Sequence, residues 1–503
     1  MAGFDCDVLV VGLGPTGSVL TALLAERGVT VIALDKEAAP YPLPRAVHFD
    51  HEIMRVFQQL GLAEQMRRCA RDLPDYEFRA ADGRVLMQLR PPRETPSGWG
   101  GGYMFHQPSL EAVLRARLEA LPSADIRLGW SLDGLEPDVD GVTVRMTTPT
   151  GAATIRARYL VGCDGASSPV REAIGGGLYD YQFDEPWLVV DVKVGPGSRT
   201  PDVNIQLCDP TRPTTCVLSG PGRHRWEFML LPGETAEAML DDAVVQRLIQ
   251  PWDCGPVEIE RKAVYRFHGL VANRWRGGRL LIAGDAAHQT PPFAGQGMCA
   301  GVRDAANLAW KLDAALRGTA SEALLDSYQT EREPHVRAAI ELAIGMGRVV
   351  CTLDPDAAAQ RDAGMLAAQA GGAPPLPPIR PTPFAAGCVL AGSPGAGELF
   401  PQPTASDGDA RLWLDDHLGD GPCLIARASA VATPSGVRAL NLSDAELTPF
   451  RTALLAWLDR HDAEAVLVRP DRYVFGSGSP GALLEAWQAA LDPARALGAS
   501  PAL

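Results

Sequence analysis

Residues 5–35 read DCDVLVVGLGPTGSVLTALLAERGVTVIALD, and the fold class turns on this stretch. The apolar, β-branched run Asp7–Val11 reads as a buried strand. Gly12–Gly17 (GLGPTG) is then a glycine turn, Ser18–Arg27 a helix, and Val29–Leu34 a second strand ending at Asp35. Strand, turn, helix and strand make a βαβ unit in which Gly12, Gly14 and Gly17 fill the GxGxxG spacing. Glycines at those positions permit a tight turn, close approach of backbone to a pyrophosphate, and helix–strand packing. The helix N-terminus adds free N–H groups and partial positive charge for phosphates. Asp35 stands where a carboxylate accepts ribose hydroxyls and disfavours a 2′-phosphate.

The rest of the chain bounds what such a unit belongs to. Its 503 residues suggest about three domains. With 46% hydrophobic residues it has the apolar material for large cores, which excludes disorder as the main state. The net charge of −15, with no compensating basic run, excludes nucleic acid as a partner. The N-terminus carries acids where a signal peptide wants positive charge. No segment approaches the roughly 18 apolar residues of a membrane span. Ten scattered cysteines without CxxC, and without a Cys/His cluster at metal spacing, read as reduced thiols. A cytoplasmic protein with no membrane partner and no structural metal is expected.

Proline density in GGAPPLPPIRPTPFAAG (371–387) implies an extended spacer before a C-terminal segment. Residues 180–265 (WLVVDVKV, CVLSG, RWEFMLL) read mostly as strands, with loops over much of 195–223. A strand is expected at Tyr159–Cys163, before the turn CDGASSPVR (163–171). There Ser168 is placed to cap a helix and Pro169 to occupy its first position. Another strand, Arg279–Ala283, leads into GDAAHQTPPFAGQGM (284–298) and an amphipathic helix around Met298–Leu316. Asp285 at that strand end suits ribityl or ribose hydroxyls, while the Gly295–Gln296–Gly297 turn lets backbone approach a planar ligand. The following helix N-terminus favours negative charge beside that ligand. A second GxGxxG match, GSGSPG (476–481), has too few residues after it for a βαβ unit. It reads as a loop, not a nicotinamide site.

The ordered set GxGxxG, DGxxSxVR and GDAAHxxPPxxGQGM resembles that of the class A FAD-dependent aromatic monooxygenases of the phenol hydroxylase group. PRAVHFDHEIMRVFQQLGL (44–62) and residues 283–312 are most similar to the 3-(3-hydroxyphenyl)propionate hydroxylase branch. The resemblance runs from residue 4 to about 345, and more weakly through VLVRPDRYVFG (466–476). It implies an α/β fold: a Rossmann-type FAD-binding domain (1–75, 108–180, 266–370), an inserted mixed β-sheet substrate domain (76–107, 181–265), and a thioredoxin-like C-terminal domain (385–503). It assigns Gly12, Gly14, Gly17 and Asp35 to the ADP half of a tight, non-covalent FAD. Arg45, Gln107, Asp164 and Asp285 fall at its pyrophosphate, ribityl and nicotinamide-handling positions. Pro292, Gly295, Gly297 and Met298 line its ring. One departure is Cys299, where many relatives carry Asn.

The same resemblance implies hydroxylation of a phenolic ring by O2 and NADH or NADPH, through a C4a-hydroperoxyflavin. The nicotinamide is a transient co-substrate, and a small aromatic acid such as a 3-(3-hydroxyphenyl)propionate is the expected substrate. A homodimer is also entertained. A tailoring hydroxylase of an aromatic polyketide or antibiotic, and a non-catalytic FAD-binding sensor, stay open as alternatives. Attack on the ring is faster for a phenolate, so a nearby base is expected. His48 and Asp50, on one face of a strand, are the candidates, against local capping by Asp50. For a propionate, Arg212, Arg223, His224 and Arg225 are the available cations. Trp99, Tyr103 and Phe105 are either pocket or core. Without CxxC, the C-terminal domain is expected to pack or make oligomer contacts.

Overall fold

The strand Cys6–Val11 lies in the middle of a parallel sheet, with Val31–Asp35 on one side and Gly151–Gly162 on the other. In this computed structural model, which describes residues 3–39, 44–372, 382–408, 410–427 and 433–492, Val8 pairs with both Val31 and Tyr159. Ala124–Leu128 and Leu280–Ile282 extend the sheet in parallel on either flank. Of these, Cys6–Val11, Val31–Leu34 and Leu280–Ile282 are buried on both faces, which explains their continuous apolar character.

The first helix spans Pro15–Glu26, three residues earlier than the glycine spacing suggested. Pro15 fits the first helical position, where its missing N–H costs nothing. Gly28, in the left-handed region at φ 79°, then turns the chain, and the second strand begins at Val31. The helix Gly297–Leu316 crosses the first helix so closely that a Cβ on Gly301 would lie 2.2 Å from Thr16 Oγ1.

The sheet order places three sequence-distant motifs together. Gly12 N–H donates to Leu34 O (2.7 Å), Cys163 N–H to Val11 O (2.7 Å), and Ala283 N–H to Gly162 O (3.0 Å). The glycine turn, the Cys163–Arg171 turn and the Gly284–Met298 segment therefore leave neighbouring strands at their carboxyl ends, the ligand-binding edge of an open α/β sheet.

A second eight-stranded sheet includes Leu178–Val194, Val257–Ala272, Arg223–Met229, Thr214–Leu218, Asn204–Leu207 and Tyr76–Arg79. Leu188, Val190, Trp226 and Phe228 face an outer layer that includes Val245 and Ile249. That layer adds helices to a region read mostly as strands. Two short helices, Ala236–Met239 and Asp242–Ile249, begin at Thr235 and Asp241, whose side chains accept the orphan N–H groups. The alternate face carries Trp187, which meets Phe293 edge-on at 5.6 Å. A small sheet of His48–Asp50, Gly102–Phe105 and Ala70–Asp72 completes this side.

The expected proline spacer lies, over 373–381, outside the described residues. Beyond it, Arg438–Asn441, Cys423–Ala426, Ala465–Val468 and Val474–Gly478 form a four-stranded sheet in that order. GSGSPG, read as a loop, is the end of Val474–Gly478 and the start of the helix Pro480–Leu491. Its strand pairs antiparallel with Ala465–Val468, so no dinucleotide-binding βαβ unit forms there.

This unit is held to the rest by buried charge. Arg55 clamps Asp415 with two 2.7 Å bonds, and Glu331 receives Lys311 (2.8 Å) and Arg469 (2.7 Å). Burial alone would raise both carboxyls, yet Arg469 and Lys311 hold Glu331 well below the carboxylate range, and Arg55 and Arg472 lower Asp415. A depressed folded pKa stabilises above the unfolded value of about 4 and is lost as pH falls toward the folded one. The thermal midpoint is therefore expected to hold above about pH 5 and fall below it. Glu331→Gln is expected to flatten that fall and cost about 3–5 kcal/mol at pH 7, checked by denaturant titration.

Candidate active site

The glycine turn shows which glycines the protein itself requires. Gly12 has φ 97°, and a Cβ there would meet Cys163 O at 2.3 Å. On Gly17 it would meet Gly12 O at 1.9 Å. Gly14 differs: its φ is −65° and an added Cβ would meet nothing within 4 Å. Neither backbone conformation nor protein packing asks for glycine at 14, so the space it leaves suits a bound group. Asp35 secures the turn by accepting Leu13 N–H at Oδ2 (2.9 Å) and Glu37 N–H at Oδ1 (2.9 Å). Each oxygen keeps a lone pair for a ribose hydroxyl.

The 44–48 segment is fixed from two sides. Gln107 Oε1 accepts the N–H of Arg45 (3.1 Å) and Ala46 (2.6 Å), while its Nε2 donates to Glu111 (2.6 Å). Its carbonyl oxygen is spent on the backbone and one amide N–H on Glu111, so Gln107 places Arg45 beside the groove. Opposite, Arg225 donates to the carbonyls of Arg45 (2.7 Å) and Pro44 (2.9 Å). The Arg45 guanidinium lies within electrostatic reach of Asp285 and Glu111.

Asp164 uses one oxygen, Oδ2, on Val170 N–H (3.3 Å), while buried Oδ1 has no partner among the described residues. Desolvation raises its carboxyl above the usual range. Ser168 caps the short helix at Arg171 N–H (3.0 Å), with Pro169 in first position. Arg171 then ties this turn to the next motif, donating to Ala166 O (2.7 Å) and Ala286 O (3.0 Å).

Asp285 is exposed to solvent and has no hydrogen-bond partner among the described residues. Confinement by surrounding protein nevertheless pushes its carboxyl up, against the pull of His288 and Arg45. A solvent-open acid walled by protein is what the floor of a ligand groove presents. Its loop is anchored by a residue the sequence reading missed: Asp304 accepts Gly284 N–H (3.1 Å), pairs with His288 Nε2 (2.6 Å) and receives Arg332 Nε (2.9 Å). The legible signal was RD at 303–304, two adjacent charges in the otherwise uncharged first three turns of the helix.

Pro292–Ala294 form a single turn closed by Gly295 N–H to Pro292 O (2.8 Å), and Gly295 sits at φ 61°. Gly297, the first residue of the long helix, is open, with an added Cβ no nearer than 3.9 Å to Thr290. Met298 packs half-buried beside it. The Cys299 thiol points to the carbonyls of Gly295 (3.7 Å) and His48 (3.9 Å). Burial pushes that thiol up, so it stays protonated.

His48 Nδ1 faces Gly295 O at 3.1 Å. Burial lowers its imidazole more than Asp50 and the Gly295 carbonyl raise it, leaving a neutral ring that donates from Nδ1. Asp50 is committed to the framework. It caps the helix His51–Gln59 at Glu52 N–H (3.1 Å) and Ile53 N–H (3.3 Å), and pairs with Arg303 (2.6 Å). Arg303 overcomes the effect of burial and holds Asp50 ionised.

The four cations named for a propionate are committed elsewhere. Arg212 is bidentate to Glu234 (2.6 Å), Arg223 pairs with Glu260 (2.9 Å), and Arg225 with Asp191 (2.7 Å). Buried His224 stacks near Trp226 at 4.9 Å. The aromatics resolve as core: Trp99 stacks on Trp413 at 4.1 Å, Tyr103 on Phe49 at 5.2 Å, and Phe105 is fully buried. Among the described residues no His/Cys/Asp/Glu group is arranged to hold a metal, and no helix is long and apolar enough to cross a membrane.

A groove with an open glycine at Gly14, an uncommitted acid at Asp285, a nearby Arg45 and an open helix N-terminus at Gly297 fits an ADP-linked planar cofactor. The family described as "FAD binding domain" matches residues 5–343. The chain belongs to this family, the class A flavin monooxygenases. A second family, described as "HcaD C-terminal domain", matches residues 437–493. The monooxygenase is 39% identical over 492 residues to a probable NADH-specific resorcinol 4-hydroxylase of Rhodococcus jostii (strain RHA1), covering 93% of this chain and 91% of that one. It is 35% identical over 517 residues to a 3-(3-hydroxy-phenyl)propionate/3-hydroxycinnamic acid hydroxylase of Mycobacterium sp. (strain JLS), covering 94% and 89%. The structure of aklavinone-11 hydroxylase with FAD and aklavinone superposes with a TM-score of 0.80 at 26% identity, covering 98% of this chain and 100% of the other. This monooxygenase is an FAD-dependent aromatic hydroxylase.

Gly14→Ala is expected to weaken FAD binding at least about tenfold, or ~1.4 kcal/mol, while apoprotein stability is unchanged. Asp285→Ala is expected to do the same. Flavin fluorescence titration and thermal unfolding of the apoprotein check both; a destabilised apoprotein would show that Gly14 serves packing instead.

Proposed function

We propose that this hydroxylase uses NADH to hydroxylate a small phenol that carries no carboxylate, in the manner of a dihydric phenol such as resorcinol. One observation carries the reading. The sheet face toward the flavin loop bears Glu227, 6% exposed, and its nearby cations Arg225 and Arg261 are both engaged with Asp191. An anionic side chain on the substrate would meet a buried acid and no uncommitted arginine from that sheet. The R. jostii relative, named as NADH-specific and resorcinol-directed, supports the same choice.

Bound FAD supplies hydride acceptance and oxygen activation; the protein supplies placement. Gly12–Gly17 and the helix N-terminus at Pro15 receive the pyrophosphate, with Asp35 on the ribose. Arg45 and Asp285 hold the region between pyrophosphate and ring. Gly295 and Gly297 let backbone approach the ring, where the Gly297 helix N-terminus favours negative charge. His48 acts as a positioning residue, fixing Gly295 through its carbonyl. The domain division follows the two large sheets: residues 1–75, 108–180 and 266–370 bind FAD, and 76–107 with 181–265 cover the substrate. Residues 385–503 form the C-terminal unit, read as thioredoxin-like. Its parallel pair followed by two antiparallel strands suits that reading. Ten unpaired cysteines suit a reducing cytoplasmic setting.

A second reading, an aromatic acid, is favoured by the hydroxyphenylpropionate hydroxylases at 35% identity. The cation this reading would use is Arg71, whose guanidinium bonds the carbonyls of Ser219 (2.8 Å) and Arg223 (2.9 Å) rather than a carboxylate. NADH oxidation and product yield over a panel of resorcinol, 3-(3-hydroxyphenyl)propionate and a polycyclic quinone decide the matter. Coupled turnover at least about tenfold faster with resorcinol is expected. Preference for the propionate, lost in Arg71→Ala, selects the second reading, and preference for the quinone a tailoring role. A bound flavin that NADH does not reduce with any of them would mark a sensor.

A further inference from the structure

Tyr76, Gln206, Thr215 and Glu227 form a polar row on the face of the second sheet beside the flavin loop, and the framework does not use all of them. Tyr76 OH donates to Phe293 O (3.2 Å) in the ring-lining loop. Gln206 donates to Tyr76 OH, and Thr215 Oγ1 donates to Gln206 Oε1 (2.7 Å). Thr215 is the direct cross-strand partner of Glu227, and Val189 flanks Glu227 on the other side. Two residues earlier on the same face, Arg225 grips the carbonyls of Pro44 and Arg45. Glu227 thus lies between the two segments that would flank the ring, residues 44–48 and the 292–297 turn.

The surroundings of Glu227 are unusual for a structural carboxylate. Its ion-pair partner, Arg225 Nη1, stands 3.5 Å away, while the same guanidinium makes a 2.7 Å bond to Asp191. Arg261 also turns to Asp191, at 3.4 Å. Trp187, fully buried on the same face, has an indole N–H with no partner among the described residues. A buried donor and a buried acid, both beside the flavin loop, match the hydroxyls of a phenolic ring.

We infer that Glu227 is a catalytic residue that accepts the proton of the substrate's phenolic hydroxyl; this rests on the neutral-phenol reading above. In the step, the substrate O–H bond breaks, its proton passes to a Glu227 carboxylate oxygen, and the electron pair stays on the phenolate oxygen. Nothing is oxidised or reduced. The phenolate then releases electron density into the ring, which makes its carbon the better nucleophile. The groups facing Glu227 are Arg225 on its own strand, Asp191 and Arg261 on the two strands beyond, and Tyr76 across the sheet. Burial raises the Glu227 carboxyl, with Asp191 adding to the rise and Arg225 and Arg261 opposing it. That direction brings an acid toward the working range of a general base.

Glu227→Gln keeps the shape and removes the base. With FAD-loaded enzyme and resorcinol, FAD affinity is expected to stay within about twofold while coupled hydroxylation at pH 7 falls about a hundredfold. Reduced flavin then yields peroxide instead of product. Activity is expected to recover as pH approaches about 10, where solvent deprotonates a phenol unaided. A role confined to packing would not give that recovery. Glu227→Asp, which keeps the acid, is expected to retain the wild-type pH profile at reduced rate. The inference is overturned if Glu227→Gln hydroxylates with wild-type coupling and pH profile. It is also overturned if Glu227→Gln fails to fold and Glu227→Asp shows the alkaline recovery expected of a lost base. Wild-type enzyme that turns over another phenol of the panel but not resorcinol sinks the substrate reading, and the variants are then compared on that phenol.

Discussion

Two adjacent charges on the Gly297–Leu316 helix, Arg303 and Asp304, hold the flavin-side segments in place. Both are buried. An isolated charge at such depth costs several kcal/mol, so each is tolerable only when fully paired. Arg303 meets this by reaching Asp50 and Glu52 at 2.6 Å and Gln296 at 3.2 Å. Asp304 meets it through His288, Arg332 and the Gly284 N–H. One helix thereby fixes the start of the Gly284 loop, the Gln296 turn and the end of the His48 strand. None of these is stable in its position by local propensity: the loop and turn have positive-φ glycines, and the strand is three residues long.

Much of this was legible before any coordinates. Strand–GLGPTG–helix–strand declares its topology locally, because apolar periodicity and glycine spacing act over a few residues. Ser168 and Pro169 likewise announce a helix start within one turn. The residues that escaped were those whose role depends on a distant partner. Gln107 reads only as a ligand contact until its carbonyl oxygen is seen to accept the Arg45 and Ala46 N–H groups, about sixty positions earlier. Asp50 has the position of a base, and only Arg303 shows that its charge is already used. Glu227 gave no signal in RWEFMLL beyond one acid in an apolar strand. Its meaning comes from which face the pleat turns inward.

The same pairing logic limits the substrate. A net charge of −15 does not draw in an anion, and local cations would have to do so. In the inserted sheet they are engaged by carboxylates, Arg212 by Glu234, Arg223 by Glu260, and Arg225 and Arg261 by the buried Asp191. Freeing Arg212 or Arg223 for a ligand would strand its carboxylate, and freeing Arg225 would leave Asp191 only the longer contact to Arg261. A hydroxylated ring makes no such demand. Its hydroxyls both donate and accept, and so match a face that offers an acid, an indole N–H and a threonine–glutamine–tyrosine chain.

The C-terminal unit joins this system through one hydroxyl. Tyr473 OH donates to Glu52 Oε1 (2.7 Å), the carboxylate whose other oxygen receives Arg303 Nε. From the C-terminal sheet to Gln296 in the flavin turn the path is Tyr473, Glu52, Arg303, Gln296, all of them buried. Without the tyrosine, Glu52 would keep one desolvated oxygen unpaired and pull harder on Arg303, at the expense of Gln296. The C-terminal unit is thus tied, through one guanidinium that divides its donors among Asp50, Glu52 and Gln296, to the turn that precedes the Gly297 helix.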